Sequence, residues 1–235
     1  MNNYFNLHVG ENHNGLLVLL ATQNCPHEND CKYWSEGRVN SPEGCDKNCL
    51  FINPMAEYSL PSQSFLYQLH LYLNDEYDKY EEKRNKTFNP LTTAIAKAIG
   101  VDMTLPNWKS EVWKLFICSE LCHHFIANIE TSHNDFTDRD FEALKEIINS
   151  PEYNIKRILI LGKPSFEFIS SKIEKEPGWT ITQVSEDNYY HHLIIEDRTI
   201  DVIYAYHPSY PNFYDTDENG ISKLLPWLKY IFSKQ

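Results

Sequence analysis

The chain alternates short apolar runs with longer segments whose apolar residues recur every three or four positions, the pattern of buried strands separated by amphipathic helices. The plainest run is Arg157-Ile158-Leu159-Ile160-Leu161, broken by Gly162 and followed by Pro164 and an amphipathic segment through Ile173. It predicts a buried strand feeding a helix. Thr199 to Ala205 predicts a second such strand, ending directly before Tyr206-His207-Pro208-Ser209-Tyr210. Cys49-Leu50-Phe51-Ile52 stops at Asn53-Pro54 and reads as a central strand ending in a turn. Leu121 to Asn128 reads as a strand or strand end.

The helical spacing is as regular. Phe65, Leu66, Leu69 and Leu73 predict a helix over about Ser62 to Leu73, followed by a mixed-charge, solvated stretch from Asp75 to Lys86. The run LTTAIAKAI from Leu91 predicts another, stopped by Gly100. Cys118 and Cys122 are spaced i,i+4, as on a helix. Thr137 caps a helix with Phe141, Leu144, Ile147 and Ile148 on one face. Ile221 to Ile231 predicts a closing helix carrying Leu224, Leu225, Leu228 and Ile231. Strands alternating with helices give an α/β class: one domain over residues 1–235, with a central, mainly parallel four-stranded sheet flanked by helices. Ligands of such sheets bind beyond the strands' carboxyl ends, where Asn53, Asn128, Gly162 and His207 stand.

Composition narrows this picture. A hydrophobic share of 42% and an aromatic share of 14% exclude a disordered chain, and 235 residues suffice for one core. The start, Met1-Asn2-Asn3-Tyr4-Phe5, lacks the basic region of a secretory signal, and Leu16 to Ala21 is too short to span a membrane. The expectation is a cytoplasmic monomer without a membrane partner. A net charge of -12 argues against an extended grip on nucleic acid but leaves room for a small local contact, since surface charge acts within roughly 8 to 10 Å.

Four of the six cysteines, Cys25, Cys31, Cys45 and Cys49, fall in a polar, Cys-rich loop region at about 22–49. Free thiols, metal ligands and disulfides are all open to them. The spacings CPHENDC and CDKNC depart from the CxxC knuckles of structural zinc, and the lack of a secretory signal weighs against disulfides. His123-His124 and His191-His192 are adjacent pairs whose rings point apart, so neither alone makes a metal site. No cofactor is expected and no metal-site residue is singled out, with an unusual metal site at Cys25, Cys31, Cys45 and Cys49 left open.

Three motifs, in order, resemble the uracil-DNA glycosylase superfamily. Ile200 to Pro211, IDVIYAYHPSYP, is similar to the superfamily's last motif, a hydrophobic strand ending in an HPS tripeptide. Lys156 to Phe166, KRILILGKPSF, resembles its apolar strand followed by Gly, a basic residue and a small residue. Phe125 to Ala143, FIANIETSHNDFTDRDFEA, resembles the segment that delivers a base-reading Asn and then starts a helix. The layout is closest to the iron-sulfur branch, but only Cys25 and Cys31 loosely match its cysteines; Ser132 and Ala143 stand near the places of the second pair, so no cluster of that type is expected. In the first motif Asn53-Pro54 matches the Asn-Pro of the mismatch-specific and single-strand-selective branches, while Phe51 and Met55 replace the flanking glycines.

The resemblance implies a glycosylase fold and hydrolysis of the N-glycosidic bond of uracil or a related damaged base flipped out of DNA. His207 would hydrogen-bond the oxyanion developing on the base. Asn128 would pair with N3–H and O4 of uracil. Asn53 would hold the attacking water, with Glu57 as a carboxylate from the same loop. Tyr58 and Phe65 are candidates for stacking on the base, though Phe65 fits the buried face of its helix equally well. Ser209, Gly162, Lys163 and Ser165 would hold phosphate. The alternative is a glycosylase-fold protein that binds a base, nucleotide or protein partner without the chemistry, motivated by the missing glycines and the acidic charge.

Overall fold

The computed structural model describes residues 7–21, 23–24, 64–75, 82–121, 125–126, 136–208, 213 and 223–233. Nine strands appear among them: β1 (Leu7–Val9), β2 (Leu16–Leu20), β3 (Gln23–Asn24), β4 (Ile117–Glu120), β5 (Phe125–Ile126), β6 (Arg157–Leu161), β7 (Trp179–Gln183), β8 (Tyr190–Ile195) and β9 (Arg198–Ala205). The helices are α1 (Ser64–Leu73), α2 (Glu82–Ile99), α3 (Trp108–Trp113), α4 (Asp138–Asn149), α5 (Lys163–Ile173) and α6 (Leu225–Ser233).

Seven strands form one mixed sheet in the order β1-β4-β2-β6-β9-β8-β7, and β3 pairs with β5 separately. Within it β4, β2, β6 and β9 run parallel, whereas β1, β8 and β7 pair antiparallel at the two flanks. The expected four-stranded sheet is thus corrected to seven strands. β7 and β8 escape the pattern because a half-exposed hairpin alternates buried and open positions, as β8 does, instead of presenting a flat apolar run.

β2, LLVLL, is buried at every position, as a strand covered on both faces must be. Leu16, Val18 and Leu20 face a core shared with α1, α2, α3 and α6, while Leu17, Leu19 and Ala21 face α4 and α5. β2 lies beside β6, at the centre of the parallel strands. The strand expected at Cys49–Ile52 lies outside the described residues.

The helices broadly follow their spacing. Gly100, at φ 76, ends α2 with Val101 N–H donating to the Ala96 carbonyl at 2.9 Å, but the helix starts at Glu82, inside the stretch expected to be solvated, and carries Pro90. Thr137 caps α4: its backbone N–H and hydroxyl both donate to Asp140 Oδ2, at 2.7 and 2.8 Å. Cys118 lies on β4 and not on a helix, because a short buried run gives period-2 contacts that its spacing to Cys122 does not reveal. No helix of the described residues is long and apolar enough to cross a membrane.

Candidate functional site

The winding of the sheet fixes where a ligand crevice opens. From β2 the chain passes to β4 on one side, and from β4 it crosses to β6 on the other side of β2. The direction of winding therefore reverses between β2 and β6, and an open α/β sheet binds ligands at the carboxyl ends of the strands that flank such a reversal. The residues that follow β2 and β6 are Ala21 and Gly162.

Four residues converge there. A Cβ at Gly162 would stand 3.8 Å from the Ala21 Cβ, 3.8 Å from the His207 Cβ and 3.9 Å from the Ser165 hydroxyl. Gly162 has φ 102 and ψ 133, a backbone region open essentially to glycine alone. Its N–H donates to the Ala205 carbonyl at 2.8 Å, extending the pairing of β6 with β9 past the strand end. This brings His207, two residues beyond Ala205, over the switch point.

His207 is partly buried, and loss of hydration pushes its pKa down to about 4. At neutral pH its imidazole is uncharged, with one ring nitrogen donating and the other accepting. Across the crevice, Ser165 sits in the first turn of α5, fully buried, and its Oγ has no hydrogen-bond partner. In that first turn Pro164 has no N–H and the Phe166 N–H donates to the Gly162 carbonyl at 3.2 Å, which leaves the Lys163 and Ser165 N–H groups, with the Ser165 hydroxyl, as the donors suited to an anion. Lys163 is exposed, 3.5 Å from Glu167 one turn on.

No family model matches the chain, and no curated protein matches it.

The sequence-predicted site residues divide accordingly. Gly162, Ser165 and His207 come together, with Lys163 at the rim. Phe65 falls on the core side of its two readings: it is fully buried, with ring centroids 5.9 Å from Phe88 and 6.4 Å from Trp113, so it offers no face to a ligand in the crevice. Asn53, Glu57, Tyr58, Asn128 and Ser209 lie outside the described residues, as do Cys25, Cys31, Cys45, Cys49, Cys122 and His123-His124. Cys118 is a buried free thiol whose pKa burial pushes well up.

Other polar groups emerge only from the fold. Glu120, at the carboxyl end of β4, is 6% exposed and follows the buried Ser119. Phe166, next to Ser165, stacks on Tyr204 at 4.8 Å and lies 4.7 Å from the His191 ring. His191 and His192 do point apart. His191 packs against Phe166, whereas His192 Nε2 lies 2.8 Å from the Tyr190 hydroxyl, which donates to Asp201 Oδ1 at 2.8 Å. That second network includes Tyr230 of α6, and its rings pack directly on one another, tying the last helix to the sheet. Among the described residues no three His, Cys, Asp or Glu side chains stand close enough to hold a metal. An apolar void lined by Leu19, Ile160, Ile169 and Val202 lies under α5 in the core, without a polar group to orient a ligand.

Proposed function

We propose that the protein is a DNA N-glycosylase on a uracil-DNA glycosylase-like fold, hydrolysing the bond between deoxyribose and uracil or a related damaged base flipped out of the strand. The observation that carries this reading is His207 held uncharged against Gly162 and Ser165 at the switch point. Breaking an N-glycosidic bond leaves negative charge on the departing base. A neutral imidazole pointing an N–H at the base's acceptor stabilises that charge as it grows, whereas an imidazolium would risk simple proton loss. Gly162 lets a nucleotide approach the backbone closely, and the Ser165 hydroxyl with the Lys163 and Ser165 N–H groups takes the adjoining phosphate. Lys163 and Ser209 add to the phosphate side. Asn128 reads the base edge, Tyr58 stacks on it, and Asn53 with Glu57 handles the attacking water.

DNA is then the partner, bound by a monomer in the cytoplasm. Modest affinity follows from the charge of -12, since phosphate neutralisation supplies most of the strength of DNA binding. Phe51 and Met55, where the family carries glycines, together with that charge, favour a second reading in which the pocket binds a base or nucleotide without excising it. Single-turnover assays on oligonucleotides carrying one deoxyuridine, then oxidised and deaminated bases in turn, separate the two. Abasic product supports the first reading; saturable binding with no product supports the second; neither, from a folded protein, refutes both.

A further inference from the structure

We propose that the outer edge of β7 binds an extended segment of a partner protein as an added strand, a segment with a neutral, β-branched middle and Lys or Arg at both ends. The surface lies at the end of the sheet, apart from the crevice, and the inference does not rest on base excision.

β7 is the last strand of the sheet and pairs only with β8. In an antiparallel pair, residues whose N–H and C=O groups meet the neighbouring strand alternate with residues whose groups point away from it. The phase is fixed here at both ends: the Glu196 N–H donates to the Gly178 carbonyl at 3.0 Å, and the Val184 N–H to the Tyr190 carbonyl at 2.8 Å. Thr180 and Thr182 therefore bond to β8, in register with Ile194 and His192. Ile181 and Gln183 turn their N–H and C=O groups outward. The Trp179 carbonyl does the same, while its N–H donates to the Glu176 carbonyl at 3.2 Å.

Sheet edges are ordinarily protected by shortness, a charge, a proline or a covering element. At the opposite edge β1 is only three residues long. β7 has no such device among the described residues: Trp179–Gln183 carries neither charge nor proline, and Thr180, Thr182, Gln183 and Val184 are exposed, Val184 by 48%. Trp179 and Ile181 pack against the core under α4 and α5, which holds the strand in place. The result is a fixed row of backbone donors and acceptors of the kind to which an extended peptide adds as a strand.

Charge selects the occupant. Glu174, Glu196 and Asp197 are exposed at the start of β7, where the β8–β9 turn meets Gly178, and Glu186 and Asp187 are exposed beyond its end. Lys175 is the one exposed cation in residues 174–188 and 196–197. A second copy of this chain would set acidic end against acidic end in either orientation, which opposes self-pairing. Cations at both ends of a partner strand meet these carboxylates instead. Its middle lies beside Thr180, Ile181, Thr182 and Val184, next to which β-branched side chains pair well.

A nuclear magnetic resonance titration of the labelled full chain tests this, with a synthetic peptide of alternating valine and threonine carrying lysines at both ends, and its glutamate-ended counterpart. The lysine peptide should shift the β7 amides, slow hydrogen exchange at the Ile181 and Gln183 N–H groups roughly tenfold, and bind about tenfold more tightly than the glutamate peptide at low salt. Gln183→Pro removes an outward N–H and leaves the ladder to β8 intact, so the folded variant should lose the peptide. No change at β7, equal binding of the two peptides, or a folded Gln183→Pro that binds like wild type overturns the proposal. So do Ile181 and Gln183 amides already protected in the free protein, whether at every concentration or only as self-association sets in. Should Gln183→Pro fail to fold, Glu186→Lys combined with Asp197→Lys decides: the preference should shift to the glutamate peptide, and an unchanged preference refutes the charge argument.

Discussion

The Cβ of His207 lies 3.8 Å from the place a side chain at Gly162 would occupy, so the end of β9 and the end of β6 close on each other over the gap between β6 and β2. Neighbouring atoms are no closer to that place than ordinary van der Waals contact, and the constraint on Gly162 is its backbone at φ 102. Gly162→Ala should therefore cost about 1–3 kcal/mol of stability from strain and, by shifting the first turn of α5 with Ser165 and the segment with His207, weaken nucleotide binding. Urea unfolding alongside a binding titration measures both. Unchanged stability would mean that the backbone relaxes without cost.

Ser165→Ala should separate stability from function. Its hydroxyl is buried without a partner, so deleting it should leave stability unchanged or raise it by about 1 kcal/mol. Affinity for a phosphate-bearing ligand should fall. A clear loss of stability with no change in binding would make Ser165 a structural residue.

His207 also makes stability depend on pH. Its folded pKa of about 4 lies below the ordinary 6.5, so the unfolded chain takes up the proton first. The protein should be at full stability above about pH 6.5 and lose stability as the pH falls from there towards 4. The contribution of this one group amounts to about 3 kcal/mol. In His207→Gln that component should vanish, leaving a shallower slope from His8, His13 and His191, which burial also lowers. Parallel unfolding curves at pH 7 and pH 4 for the two proteins measure the difference. Equal slopes would place His207 in water.

Cys118 should resist alkylation in the native state, since its thiol is fully buried and burial holds it protonated. Peptide mapping after brief iodoacetamide treatment, with and without urea, reads this directly. Labelling at Cys118 in native buffer would mean that β4 opens readily.

What could be read without the structure follows the range of the interactions involved. β6 emerges to the residue and β9 to within one, because a strand buried on both faces is a flat apolar run with punctuation at its ends. Leu16–Leu20 carries the same signature, yet five apolar residues have no periodicity of their own, and the run draws notice only as too short for a membrane. His207, Gly162 and Ser165 are legible because turn residues mark strand ends. Ala21 is not, since its place at the switch point depends on sheet order. Nothing in SELC or LLAT signals that β4 and β2 lie side by side, about a hundred residues apart in the chain.

The most direct test of the account is base excision by wild type and His207→Ala, from single- and double-stranded oligonucleotides each carrying one uracil or one oxidised or deaminated base. Wild type should produce abasic sites from at least one of them, and His207→Ala should do so about 10²–10³-fold more slowly, the usual cost of losing a donor to a developing oxyanion. Equal rates for the two proteins, or no product from a folded wild type across the whole panel, would contradict a glycosylase centred on His207.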